Sequence, residues 1–212
     1  MNLLELFEDH KGNPVHKYSH HIEAYDKIFE RFKNTAVSIL EIGLARGGSL
    51  ELWRKYFGME AAIFGMDIQD MTVLQKDSGA RIFVGDQGKI EDLKRVLNKL
   101  PDLDIVIDDG SHQSEDQIVS FQHVFKRLKD KGVYIVEDIH TSYRETYGGG
   151  YLNQNSFVEY IKRMIDGLHY SEEGVPRPAG CSSVFGVHVY PGLAIIEKRN
   201  PTSWGGSTMR PA

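Results

Sequence analysis

Short apolar runs that end in carboxylates recur along the first two-thirds of this chain. Residues 37–41 end in Glu41, 62–66 run into Asp67, and 81–84 run into Gly85-Asp86-Gln87. Residues 103–107 run into Asp108-Asp109-Gly110-Ser111-His112, and 132–136 into Glu137-Asp138-Ile139-His140. Each run is too short for a helix and apolar on both faces, as in a strand buried in a parallel sheet. Between them the apolar period changes to that of a helix. Ile22, Tyr25, Ile28, Phe29 and Phe32 mark a helix over 19–33, and a second is expected over 50–57. Ile90, Leu93, Val96 and Leu97 mark one over 89–100, and Ile118, Phe121, Val124, Phe125 and Leu128 a long one over 113–129. A short helix over 2–7 is capped by Asn2, and one over 156–168 by Ser156 or Asn155. The last two apolar runs, 184–190 and 193–197, are joined by Pro191-Gly192 and read as a hairpin.

Strand and helix alternating in this way predict an α/β fold, a Rossmann-like doubly wound and mainly parallel sheet. The hairpin adds an antiparallel C-terminal edge. The chain divides into an N-terminal helical cap (1–35), the sheet domain (36–199) and a tail (200–212). The tail has little to bury and is either disordered or, since Trp204 and Met209 have no evident place in one sheet domain, an arm between subunits of a homo-oligomer.

Composition narrows the function. A net charge of -5 gives no electrostatic footprint for nucleic acid or an anionic membrane. Cys181 is the only cysteine, so no intrachain disulfide can form, which fits a reducing compartment such as the cytoplasm. No apolar run is long enough to span a bilayer, and the acidic start does not read as a secretory leader.

The strand ends carry the candidate chemistry. An open α/β sheet presents its site at the carboxyl edge of its strands. If the runs ending at Asp109 and Glu137 are neighbours, Asp109, Glu137 and Asp138 converge, and three acids repel unless a cation lies between them. The loop after the first strand has Gly43 and Gly47-Gly48, followed by Ser49, a looser spacing than the dinucleotide fingerprint. Glu41 beside it suits a ligand with an ammonium group and penalises a phosphate. Asp67, just over 20 residues on, is placed to accept ribose hydroxyls. Asp86 and Gln87 are placed to bond an adenine amino group. Tyr143, Tyr147 and Tyr151 flank Gly148-Gly149-Gly150 in a loop over 141–154 that reads as a mobile lid. His16, Lys17, Tyr18, His20 and His21 read as a polar helix entrance.

Glu41-Ile42-Gly43 with Gly47-Gly48, Asp67 and Asp86 resemble the motifs of class I S-adenosylmethionine-dependent methyltransferases. Ile107 to His112, followed by Val136 to Tyr143, more specifically resembles the metal-dependent macrolide sugar O-methyltransferases and their cephalosporin-hydroxylase-like relatives. The resemblance implies that the N-terminal cap covers the cofactor. It implies that Asp109, Glu137 and Asp138 bind magnesium and that His112 is the base, with His140 as its rival. Glu41, Gly43, Gly47, Ser49, Asp67, Ile68, Asp86, Gln87 and Asp108 would line the cofactor pocket. His140, Tyr143, Tyr147 and Tyr151 would meet the substrate.

Such a site suits the methylation of a sugar hydroxyl. The methyl of a sulfonium cofactor is already activated; the weak nucleophile is the alcohol. A hard cation on oxygen ligands lowers the pKa of a bound hydroxyl, and a histidine takes the proton. Three alternatives are open at this point: a catechol acceptor, a non-catalytic cofactor-binding subunit, and an iron oxygenase using His112 or His140 with Asp109.

Overall fold

In the computed structural model, residues 2–169, 174–176 and 178–200 are described. Of the tail, only Asn200 falls among them, so Trp204 and Met209 lie outside. The helices are α1 (Leu3–Glu8), α2 (Ser19–Phe29), α3 (Gly48–Phe57), α4 (Gln75–Ser78), α5 (Ile90–Leu97), α6 (Ser114–Val124) and α7 (Phe157–Gly167). The strands are β1 (Ser38–Ile42), β2 (Ala62–Asp67), β3 (Arg81–Val84), β4 (Leu103–Asp108), β5 (Leu128–Glu137), β6 (Val184–Tyr190) and β7 (Leu193–Lys198). They form one sheet in the order β3-β2-β1-β4-β5-β7-β6. β1 to β5 run parallel, and β7 pairs antiparallel with β5 and β6. The mixed, doubly wound sheet with an antiparallel hairpin edge is therefore present, and the strands ending at Asp108 and Glu137 are neighbours.

Side chains alternate across each strand, and two apolar layers result. Ile39, Ile63, Ile105, Ile107, Val133 and Ile135 pack with Leu3 of α1, Ile22, Tyr25 and Phe29 of α2, and Trp53 and Phe57 of α3. Leu40, Ile42, Met66, Val106, Tyr134 and Val136 face the other way, against Leu93, Phe121, Phe125, Phe157 and Ile161. The same alternation sorts the strand-end acids. Glu41, Asp109 and Glu137 continue the first set, towards α2 and α3. Asp108 continues the second, towards α6.

Several boundaries differ from expectation, for local reasons. The helix expected over 113–129 ends at Val124 and passes through a 3-10 turn (Phe125–Arg127) straight into β5. β5 thus begins at Leu128, its polar start Lys129-Asp130-Lys131 hiding it from an apolar pattern. The helix expected over 19–33 gives way to a 3-10 turn after Phe29. Asn2 and Ser156 each cap a helix through the side chain, as expected. The stretch expected as a lid is a chain of hydrogen-bonded turns. Gly150 N donates to Ser142 O at 2.8 Å, and Gly149 N to Arg144 O at 3.0 Å. Gly149 lies so close to Ser142 that a Cβ there would stand 2.2 Å from its carbonyl oxygen.

Candidate active site at the carboxyl edge of the sheet

The loops after β1 and β4 meet at Gly43. Its φ is +84°, and an added Cβ would lie 2.2 Å from Asp109 O, so only glycine allows this approach. Gly47, with φ +81°, turns the chain into α3 beneath Leu74. Around this turn the acids divide their work. Asp67 accepts Leu44 N–H and Gln69 N–H, both at 2.8 Å, and fixes the entry to the loop. Ile68 beside it is exposed. Glu41 is buried; Ser49 Oγ and Trp53 Nε1 both donate to its Oε2, at 2.8 and 3.1 Å. Its Oε1 has no hydrogen-bond partner and faces Lys17 Nζ at 3.8 Å. Burial pushes the Glu41 carboxyl up to about 7, with Lys17 and Ser49 opposing. Asp86 accepts Gly88 N–H at 3.0 Å and pairs with Lys89 at 3.2 Å.

Asp108 and Ser49, expected to line the cofactor pocket, are buried. Asp108 accepts from Gln87 Nε2 at 2.9 Å, Ser120 Oγ at 2.5 Å and Tyr134 OH at 3.1 Å. Burial raises its carboxyl above the usual range against those three bonds. Through Gln87, whose Oε1 accepts Ser111 N–H at 2.8 Å, it sets the loop that leads to His112.

His112 and Asp138 are both non-glycine residues in the left-handed region, with φ of +58° and +53°. Such conformations are costly and concentrate where structure is set by function. The Thr141 hydroxyl lies 2.9 Å from His112 O and 2.8 Å from Asp138 O, and holds the two loops together. As a result Asp109, His112 and Asp138 each place one ligand atom within 4.8 Å of the others. His112 Nε2 is 3.6 Å from Asp138 Oδ2, while its Nδ1 is buried without a partner. His140 Nδ1 approaches the other oxygen of Asp138, at 3.7 Å. The two histidines thus flank Asp138 on separate oxygens, and the two-histidine triad of an iron oxygenase is not gathered around one point.

Glu137 is not gathered into that cluster. It lies on the α2 side, where Lys17 Nζ donates to its Oε1 at 2.5 Å and to Asp109 Oδ2 at 2.6 Å. Tyr25 OH donates to the same Oε1 at 2.5 Å, and His21 Nδ1 stands 3.5 Å from Oε2. Burial works against the charge of Glu137, but Lys17, His21 and Tyr25 outweigh it and bring the carboxyl down to about 2. Asp109 moves up, to about 6, through burial and the Glu137 charge. Burial also disfavours the charge on Lys17, yet Glu137, Asp109 and Glu41 hold its ammonium well above the usual lysine range. The sequence pattern alone did not mark this lysine as part of the site. Its signal is a four-residue spacing, Lys17, His21 and Tyr25, although Lys17 itself lies just before Tyr18, the N-cap of α2. Of the tyrosines expected at the substrate, Tyr143 and Tyr151 are exposed and Tyr147 is half-buried.

A seven-stranded sheet of this kind, with an antiparallel hairpin edge, is matched in solved structures. A methyltransferase of the mycinamycin biosynthetic pathway, MycE, solved with Mg, SAH and mycinamycin VI, superposes with a TM-score of 0.85. It is 29% identical, and the match covers 96% of this chain and 56% of that one. The fold is that of the class I methyltransferases. An O-methyltransferase from Bacillus cereus shares the fold at 15% identity and a TM-score of 0.56. No family model matches the chain. Curated relatives do. An 8-demethyl-8-alpha-L-rhamnosyl tetracenomycin-C 2'-O-methyltransferase of Streptomyces olivaceus is 35% identical over 204 residues, 91% of this chain and 53% of that enzyme. Demethylmacrocin O-methyltransferase of Streptomyces fradiae is 33% identical over 205 residues, 89% of this chain and 50% of that enzyme. The chain spans about half the length of the curated relatives it matches.

Proposed function

We propose that the protein is a magnesium- and S-adenosylmethionine-dependent O-methyltransferase acting on a hydroxyl of a sugar carried by a small-molecule glycoside. The observation that carries this reading is the open cluster of Asp109, His112 and Asp138 beside the glycine turn. Two oxygen donors and an imidazole beside that turn fit a hard cation and a base. The relatives named above, sugar O-methyltransferases and a complex with Mg and SAH, support it.

Asp109, Glu137 and Asp138 would hold magnesium. Bound there, magnesium lowers the pKa of a hydroxyl it coordinates. His112 accepts the hydroxyl proton; its backbone, pinned by Thr141 and the Gln87–Ser111 contact, keeps the imidazole at the cluster. Bound S-adenosylmethionine supplies an activated methyl group. Glu41 would face the ammonium of its amino-acid portion, Asp67 would accept the ribose hydroxyls, and Ile68, Asp86 and Gln87 would receive the adenine. Gly43 and Gly47 give the turn its close approach. His140, Tyr143, Tyr147 and Tyr151 border the acceptor.

None of the described helices is long and apolar enough to cross a membrane. The test is calorimetry with S-adenosylhomocysteine and NAD. Binding of the first without the second is expected, and the reverse preference would sink the assignment.

A further inference from the structure

Lys17 is enclosed, with its side chain 2% exposed, at the end of a long flexible stem. Burying an ammonium costs several kcal/mol even after relaxation, and an apolar side chain would fill the same space without that cost. A role in packing alone therefore does not account for it. Its three acidic neighbours, Glu41, Asp109 and Glu137, face it from β1, the β4 loop and β5. Behind it on α2, Tyr25 donates to Glu137 Oε1, and His21 spans from Glu137 Oε2 to Pro191 O, which its Nε2 meets at 3.0 Å. Three side chains spaced four residues apart thus converge on one carboxylate.

We propose that Lys17, backed by Tyr25 and His21, is the positioning group of the cation site, bridging Asp109 to Glu137 so that both stay in place to receive a divalent ion. This rests on the reading of the acids as magnesium ligands. Lys17 takes one oxygen of Asp109 and one of Glu137. The cluster of Asp109, His112 and Asp138 is assembled with the lysine in place, so the ion need not expel it. Charge points the same way. Asp109, Glu137 and Asp138 are three carboxylates; a divalent ion alone would leave one of them unmatched, and the lysine matches it. Groups behind metal ligands commonly orient them in this way.

The experiment is calorimetric titration of the full chain with magnesium alone, for wild type, K17M, K17R and Y25F, with thermal melts of the same samples. K17M is expected to weaken magnesium binding by about tenfold or more. K17R, which keeps the charge, recovers most of it. Y25F, which removes a single hydrogen bond and serves if K17M does not fold, weakens binding by about fivefold without abolishing cooperative melting. A merely structural role would lower the melting temperature and leave the affinity of the folded protein unchanged; that result overturns the proposal. Tighter binding by K17M would also overturn it, showing that the lysine competes with the ion. If wild type binds no magnesium, the functional reading itself fails, and the lysine proposal with it.

Discussion

Replacing His112 by glycine should separate stability from function. His112 sits at φ +58°. A left-handed conformation costs a non-glycine residue about 1–2 kcal/mol, which glycine does not incur. Glycine loses about 0.5–1 kcal/mol through the greater freedom of its unfolded chain. His112 is only half-buried and its side-chain nitrogens make no close hydrogen bond, so little else is removed. The net change is about 0 to 1.5 kcal/mol in favour of the folded state. Turnover should nevertheless fall by about 10²–10⁴-fold, the contribution of a positioned base, or about 2.7–5.5 kcal/mol of barrier. Urea denaturation measures the first quantity and single-turnover methyl transfer the second. His140→Ala is the control and should keep most of its turnover. A clear destabilisation of the glycine variant would show that the imidazole is structural. Retained turnover, with loss in His140→Ala, would make His140 the base.

Magnesium binding should weaken as pH falls below about 6, roughly tenfold per unit, because Asp109, raised by burial to about 6 in the metal-free protein, must lose its proton to bind the ion. A flat affinity from neutral pH into the acid range would contradict this. Gly43→Ala forces a Cβ to 2.2 Å from Asp109 O at a φ of +84° and should cost about 2–5 kcal/mol, read as a lowered denaturation midpoint; a loss below about 1 kcal/mol would refute the close approach. Asp67→Ala should weaken S-adenosylhomocysteine binding by about 1.5–3 kcal/mol for each ribose bond lost, and unchanged affinity would remove Asp67 from the cofactor site.

The layer order was legible because strand burial and helix period are strong signals, and because each parallel strand carries an acid at or within two residues of its end. Adjacency of the strands running into Asp109 and Glu137 is only a condition in the sequence pattern, and the sheet order meets it. What the pattern hid is which way each acid points. Asp108 and Asp109 are consecutive, and alternation sends the first into a closed network with Ser120 and Tyr134 and the second to the site. Glu137 and Asp138 divide likewise, with a left-handed turn at Asp138 adding to the separation. Tyr25 reads as an ordinary core residue by its spacing, since its ring is indeed packed against Phe29 and Trp53; only its hydroxyl belongs to the site. The start of β5 was invisible because its first residues are charged and exposed.

The central claim is tested most directly by incubating the protein with S-adenosylmethionine, magnesium and a panel of deoxysugar glycosides, and following acceptor mass with and without EDTA. The account predicts that a glycoside gains one methyl group on oxygen, that EDTA abolishes the gain, and that added magnesium restores it. Methylation that persists in EDTA would contradict the account, and so would methyl transfer confined to acceptors without a sugar hydroxyl.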